Sequence, residues 1–389
     1  MVSKNRKMIY VLNHYSSNSS QHFFHVLNLL EEIANRGVLI KLIIEKSEGK
    51  PIVSKPNIEV VCLKNNGFKR LVELYKIISS AQKEGYHKLF VRISNWAAIT
   101  AIVNSFFSKL EVYYWHSGTV FGFDNEQFVS YKKIKWYLKT RLPFNFIKRH
   151  VTFFVTGPES MKEYYTNVVG VNPAKIKILY NDIDISRFSK ISKDDKNKIK
   201  LGLNIPIDEK IILFVHNFSP VRKTKHYVSN FLEKFDKEKN TQDYKFYFIG
   251  SGTDKHEIEE QIIEKGLSNK VCFFGALPNA IVHQYYQIAD IFINPTHAEG
   301  FPRVLIEAMA CGLPIVSTNA GGIKDILGKH QLNFMSDIND VDSFAANLIK
   351  MVKLTSDELN MIREENLEGI IKYSTPNVAL MYIKTIFNE

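Results

Sequence analysis

The chain has 389 residues, a formal net charge of +11, 45% hydrophobic residues and three cysteines. That length suggests two domains, each with a core of its own, and the scattered, odd-numbered Cys62, Cys272 and Cys311 exclude a disulfide framework, favouring buried reduced thiols in a cytosolic protein. No stretch approaches the roughly 18 uninterrupted apolar residues of a membrane-spanning helix, and the first apolar run is too short and too strand-like for a secretory leader.

From the N-terminus, Met8–Asn13 reads as a strand. A Ser/Asn-rich turn without glycine (Asn13 to Gln21) follows, then a helix from about Gln21 to Arg36 closed by Gly37, then a strand over Val38–Ile44. Further strands are expected at Ile58–Leu63, Lys88–Ile93, Glu111–Trp115 and Thr152–Thr156. The alternation of strand and helix points to α/β layers. The polar stretch Ser189 to Glu209 reads as a linker, and a second domain restarts at Lys210–His216. These boundaries give an N-terminal domain over 1–190, a linker over 191–208, a C-terminal domain over 209–372 and a terminal segment over 373–389.

Charge is uneven. Residues 1–190 hold 28 Lys+Arg against 14 Asp+Glu, whereas the remainder holds 23 against 26. The sharpest basic run is Tyr131–His150, where Lys132, Lys133, Lys135, Lys139 and Arg141 interleave with Trp136, Tyr137, Leu138, Phe144 and Phe146. Basic residues among aromatics suit a surface that lies on anionic lipid headgroups; the plain alternative is a helix with a solvated basic face and a core-facing aromatic side. The same composition would suit nucleic acid, but no recognition motif accompanies it.

The most informative segment is Thr296–Lys324. A strand (Ile291–Ile293) leads through a polar turn to Glu299, and Gly300 opens a helix in which Pro302 suits the first position. Gly312 ends that helix and Pro314 prevents its continuation. A second strand, Ile315–Ser317, then reaches Ala320-Gly321-Gly322, another turn before a helix. Functional groups thus stand at the carboxyl ends of two strands, where open α/β sheets bind ligands. The first N–H groups of the helix, around Arg303, Val304 and Leu305, offer a phosphate site. Glu299 and Glu307 flank it, each able to accept hydrogen bonds from sugar hydroxyls. A nucleoside-diphosphate sugar has that layout. The bland reading makes Glu307 a solvated helix residue and Glu299 a helix-start acid.

This segment resembles the E-x7-E signature of family-4 retaining glycosyltransferases, with the surrounding E-G-F-P…E-A-M-A-C-G-L-P-I-V nearly complete. Tyr247–Gly252, Val271–Gly275 and Tyr285–Asn294 resemble the strands on the family's nucleotide side, and Lys175–Phe188 resembles its end-of-first-domain stretch. The resemblance implies a GT-B fold, two Rossmann-like domains facing across a cleft, with a last helix (about Asn377 to Phe387) crossing back to the first domain. It implies hexosyl transfer from a nucleoside-diphosphate sugar, UDP favoured and GDP possible, to a hydroxyl with retention. No metal or other cofactor is implied.

By the same resemblance Glu299 holds the donor sugar, Glu307 the ribose, and Arg222 and Lys223 the diphosphate, with Lys225 close by. His116, at a strand end, contacts the hexose. Gly300, Phe301, Arg303, Val304, Leu305 and Gly250 complete the donor cradle. The acceptor is expected to be a lipid-linked saccharide for surface polysaccharide, met by a cytoplasmic enzyme peripheral to the inner membrane. One departure stands out: the family's Gly-Arg pair is His216-Asn217 here. That departure supports an alternative, a catalytically silent subunit partnering another glycosyltransferase; a nucleotide-sugar 2-epimerase is a further alternative. Two decoys are set aside. Asp182-Ile183-Asp184 is a D-x-D inside the stretch resembling the family's NGVD, and His297-Ala298-Glu299 lacks the P-C-x-x-C that zinc deaminases need.

Overall fold

The computed structural model describes residues 6–16, 24–119 and 137–389. Two compact units divide the chain. The first takes the described residues of Met1–Ser117 and Phe121–Tyr180 together with Thr375–Glu389; the second takes Asn181–Ser374 with Gly118 and Thr119.

The first unit is built on seven strands: β1 (Lys7–Ser16), β2 (Leu39–Glu48), β3 (Ile58–Cys62), β4 (Lys88–Arg92), β5 (Glu111–Trp115), β6 (Phe153–Thr156) and β7 (Ile176–Ile178). Their order is β3-β2-β1-β4-β5-β6-β7, every pair parallel. Its helices are α1 (Phe24–Asn35), α2 (Gly67–Lys83), α3 (Asn95–Ser105), α4 (Leu142–His150) and α5 (Glu159–Asn167). Both faces of a parallel sheet are covered, so its strands read as continuous apolar runs. Leu74, Ile102, Phe144, Ile147 and Tyr165 bury one face, and Val26, Leu30, Tyr382 and Ile386 bury the other.

The second unit repeats the plan with β8 (Lys210–Val215), β9 (Tyr244–Ile249), β10 (Val271–Gly275), β11 (Ile291–Asn294), β12 (Ile315–Thr318) and β13 (Met335–Ser336). These parallel strands run β10-β9-β8-β11-β12-β13. Its helices are α6 (Lys193–Gly202), α7 (Val228–Asp236), α8 (Lys255–Glu264), α9 (Asn279–Ile288), α10 (Arg303–Ala310), α11 (Val341–Val352) and α12 (Ser356–Gly369). The terminal helix α13 (Thr375–Phe387) belongs to the first unit, packed on α1, where Arg6 and Glu389 close the chain ends at 2.6 Å.

Several local expectations shift. Residues 193–202, inside the stretch read as a linker, form α6, started by the Ser192 hydroxyl accepting from the Asp195 N–H. Tyr285–Asn294, read as a strand, divides into the end of α9 and β11. A short apolar run fits either period, so pattern alone does not separate them. Pro302 occupies the cap position and Arg303 begins α10. After Ala320-Gly321-Gly322 comes only a 3-10 turn at Ile323–Asp325. Cys62 and Cys272 are half-buried and only Cys311 is buried, because β3 and β10 are the sheet edges.

Candidate active site

The second sheet changes direction at β8. The chain builds outward through β9 and β10 on one side and through β11, β12 and β13 on the other. Loops leaving the carboxyl ends of β8 and β11 therefore stand at the switch point where open α/β sheets bind ligands. The β8 loop is fixed from behind. His216 N–H donates to the Ile249 carbonyl at 2.8 Å, Phe218 N–H to Ser251 at 3.0 Å, and Asp254 N–H to Phe218 at 3.0 Å. Gly250 has φ +134°, and a Cβ there would lie 1.8 Å from the His216 carbonyl oxygen. Only glycine allows that approach.

The β11 loop is stitched the same way. Thr296 N–H donates to Thr318 Oγ1 at 3.0 Å and Gly322 N–H to the Gly300 carbonyl at 3.2 Å. A Cβ on Gly321 would meet the Glu299 carbonyl oxygen at 1.9 Å. The two loops are also joined to each other, His297 N–H donating to the Arg222 carbonyl at 3.2 Å, while His297 Nε2 meets Asn339 Oδ1 in the turn after β13.

At this junction Arg222 and Glu299 meet. Arg222 Nη1 donates to the Ala298 carbonyl at 2.9 Å and pairs with Glu299 Oε1. Burial lowers the guanidinium to about 10, which leaves it a cation at neutral pH. Next to it, the ring of His216 stacks on Phe214 at 4.7 Å, and Nε2 is a buried atom with no hydrogen-bond partner among the described residues. Burial first, and Arg222 second, hold this imidazole well below its usual value, hence neutral.

Glu307 lies in the second turn of α10. Its Oε2 accepts from Tyr286 Oη at 2.8 Å, and Arg303 Nε stands 3.8 Å from its Oε1. Arg303 also reaches the Asp182 carbonyl at 2.6 Å. The helix ends in a Schellman motif: Gly312 (φ +69°) donates to Met309 at 2.9 Å and Leu313 to Ala308 at 3.0 Å. Both glutamates are thus part-buried, each beside an arginine, and the Glu299 side chain is 10% exposed.

The remaining expected residues fall as follows. Lys223 sits in the left-handed region at φ +52° between two 3-10 turns. Lys225 gives its ammonium to Glu257 at 3.0 Å. Gly300 is buried, as are the side chains of Phe301 and Leu305, so these positions have backbone rather than side chains to offer. Of the first-turn N–H groups, that of Leu305 already bonds the Pro302 carbonyl at 3.3 Å. Val304 is half-buried.

In the first unit, His116 follows β5, its N–H bonded to Val155 at 2.9 Å. Its Nδ1 lies 2.6 Å from Tyr165 Oη, and burial lowers the ring to about 4. Lys132, Lys133, Lys135 and Trp136 lie outside the described residues; Lys139 and Arg141 are exposed.

Four contributors escaped the pattern reading. Asp182 and Asn181 act through Arg303 and through the Phe301 carbonyl, which the Asn181 side chain reaches at 3.0 Å; the NGVD-like stretch marked their place but not their partners. Tyr286 was hidden by the strand reading of its segment, and Asn339, 42 residues from His297, left no signal at all. Asp184, by contrast, caps its own loop through Ser186.

Residues 195–367 match the family model described as Glycosyl transferases group 1. Over 180 residues the chain is 29% identical to an uncharacterized glycosyltransferase of Methanocaldococcus jannaschii, covering 46% of this chain and 45% of that protein. The chain spans about half the length of that relative, as it does of others among the curated proteins. Over 309 residues it is 24% identical to the UDP-Gal:alpha-D-GlcNAc-diphosphoundecaprenol alpha-1,3-galactosyltransferase of Escherichia coli, covering 78% of this chain and 74% of that one. The crystal structure of Anabaena HepE in complex with UDP-glucose superposes with TM-score 0.74 at 16% identity, covering 98% of this chain and 100% of that one. The fold is GT-B, with parallel-sheet α/β units of seven and six strands.

Proposed function

We propose that this chain, whose second unit carries a glycosyl transferases group 1 domain, moves a hexosyl unit from a nucleoside-diphosphate sugar, UDP favoured and GDP possible, to a hydroxyl of a lipid-linked saccharide, with retention and without a metal. The observation that carries this reading is the Arg222–Glu299 pair at the β8/β11 switch point. A diphosphate entering there competes for the guanidinium, and a released Glu299 carboxylate accepts from donor hydroxyls instead. Glu307, held by Tyr286, is the candidate for the ribose hydroxyls.

In the proposed step the bond between the anomeric carbon and the leaving phosphate oxygen breaks while the acceptor oxygen bonds to the same carbon on the same face. The acceptor proton passes to the leaving diphosphate. The protein's share is positioning and electrostatic stabilisation by Arg222, Lys223 and the start of α10. Relatives support the substrate classes, since the Escherichia coli protein is named for a UDP-sugar donor and a lipid-linked acceptor. A cytoplasmic enzyme peripheral to the inner membrane and serving surface polysaccharide synthesis follows from that reading.

Thermal stabilisation by UDP, GDP, ADP and their sugar conjugates, with and without EDTA, tests it, because a ligand of the native state alone raises the midpoint. A shift with one nucleotide that survives EDTA is expected. No shift with any would overturn the donor site and favour the silent-subunit reading, for which buried His216 at the phosphate loop is the supporting observation.

A further inference from the structure

Two neighbours in sequence, His297 and Ala298, hold Arg222. The His297 N–H donates to the Arg222 carbonyl at 3.2 Å, and the Ala298 carbonyl accepts from Arg222 Nη1 at 2.9 Å. One short piece of the β11 loop thus grips both the backbone and the guanidinium of the arginine in the β8 loop. The Glu299 carboxylate is free to swing away when an anion competes for that guanidinium, whereas the Ala298 carbonyl belongs to the backbone. Where His297-Ala298 stands therefore decides where Arg222 stays.

What fixes His297 comes from a third loop. After β13 the chain turns at Asn339, in the left-handed region at φ +74°, a conformation asparagine tolerates better than most side chains. Its Oδ1 meets His297 Nε2. The next residue, Asp340, is anchored at the start of α11, where its carboxylate accepts from the Ser343 N–H at 2.9 Å. The Asp340 carbonyl accepts from the Tyr227 hydroxyl at 2.8 Å, and the Tyr227 ring stands edge-on to His297, centroids 5.8 Å apart. Tyr227 ends the segment that begins at Arg222, with left-handed Lys223 and the 3-10 turn Thr224–His226 between them. The Asn339-Asp340 turn thus holds that segment directly at Tyr227 and, through His297, at Arg222. His297 and Tyr227 are 4% and 2% exposed, so neither has surface to offer a ligand. A single hydrogen bond adds little net to stability, because the unfolded chain replaces it with water. A transition-state contact misplaced by roughly 1 Å, by contrast, lowers a rate on the order of 10²-fold. The His297–Asn339 bond therefore weighs more on turnover than on folding.

We propose that His297 and Asn339 are positioning residues for the transfer step: they fix the His297-Ala298 segment so that Arg222 keeps its place when the donor diphosphate displaces Glu299 from it. This role rests on the donor reading of the Arg222–Glu299 pair and extends it to a turn 42 positions beyond His297.

Release of UDP from UDP-glucose and UDP-galactose, and of GDP from GDP-mannose, gives a rate that needs no acceptor. Asn339→Gly deletes the amide and keeps the left-handed backbone. It should lower kcat for nucleotide release about 10–100-fold, because the charge Arg222 meets is greatest in the transition state. KM, the thermal shift with UDP and the urea midpoint should stay at wild-type values. Asn339→Asp, which keeps an oxygen at that place, should recover most of the rate. In an Arg222→Ala background, Asn339→Gly should lower kcat no further, since its effect passes through the guanidinium. Three results would each overturn the positioning role and leave the donor reading standing. They are a wild-type kcat in Asn339→Gly, a loss that Asn339→Asp does not recover, and a loss of equal size in the Arg222→Ala background. A wild-type protein that releases nucleotide from none of these donors and is stabilised by neither UDP nor GDP would sink the donor reading, and the positioning role with it.

Discussion

Both sheets reverse their strand order once, between β1 and β4 in the first unit and between β8 and β11 in the second, and an arginine stands at each reversal. Arg92, the last residue of β4, is 4% exposed, its guanidinium 4.8 Å from the Trp115 ring and 3.4 Å from His25 Nε2. Arg222 instead lies on a carboxylate and a carbonyl. Arg92 ends a strand beside its reversal and Arg222 lies in a loop beyond its own, and in each case the neighbour decides the cation's use. Stacked on an indole, an arginine is part of the wall. Paired with a part-buried carboxylate, it can exchange that partner for an anionic ligand.

The largest effect should come from breaking the second arrangement. Glu299→Ala is expected to lower turnover about 10²–10³-fold, the scale of losing one electrostatic contact to a transition state, with donor affinity little changed. Steady-state kinetics and a nucleotide titration separate the two. If turnover survives intact on the identified donor, Glu299 is not part of the site.

Gly250→Ala tests the stitching behind Arg222. A methyl 1.8 Å from a backbone oxygen at φ +134° should cost about 2–3 kcal/mol of stability, read from the urea midpoint.

The two strand-end histidines permit a pH comparison. The folded His116 ring titrates near 4 against 6.5 in the unfolded chain, so the unfolded state binds the extra proton between those values. Its contribution is complete above pH 6.5 and is lost as pH falls toward 4, about 1–2 kcal/mol by pH 5. His216 is lowered as well and adds to the same slope. His116→Asn should flatten the urea midpoint's pH dependence only in part; an unchanged slope would remove His116 from this account.

Glu307→Ala should raise the donor dissociation constant about tenfold and leave turnover of bound donor close to wild type. Smallest of all, Arg92→Met should cost about 1 kcal/mol without moving donor affinity, because its charge serves the first unit's packing. A loss of donor affinity in Arg92→Met would erase the contrast between the two arginines.

Much of this was legible in one dimension. Continuous apolar strands such as Lys88–Arg92 and Glu111–Trp115 are recognisable because a parallel sheet is buried on both faces. The end of α10 was readable because Gly312 and Pro314 act locally on the chain. Glu299 was reachable because strand ends in this topology face ligands, Glu307 because it follows eight residues later in the helix that begins there, and Arg222 only through the family resemblance. The course of Tyr285–Ile288 was not legible, since so short a stretch satisfies both periods, and the fold alone assigned Tyr286 to Glu307.

By itself, then, the sequence determined the α/β alternation, the place of Glu299 after a strand and of Glu307 in the following helix, and the glycines that let loops approach. Those are properties of periodicity, backbone freedom and short spacing, which act over a few residues. Tertiary structure alone decided which charge meets which: Arg222 with Glu299 across 77 positions of chain, and Asp182 with Arg303 across 121. Contacts at such separations depend on which strands become neighbours, a choice made by burying whole faces together rather than by any local preference.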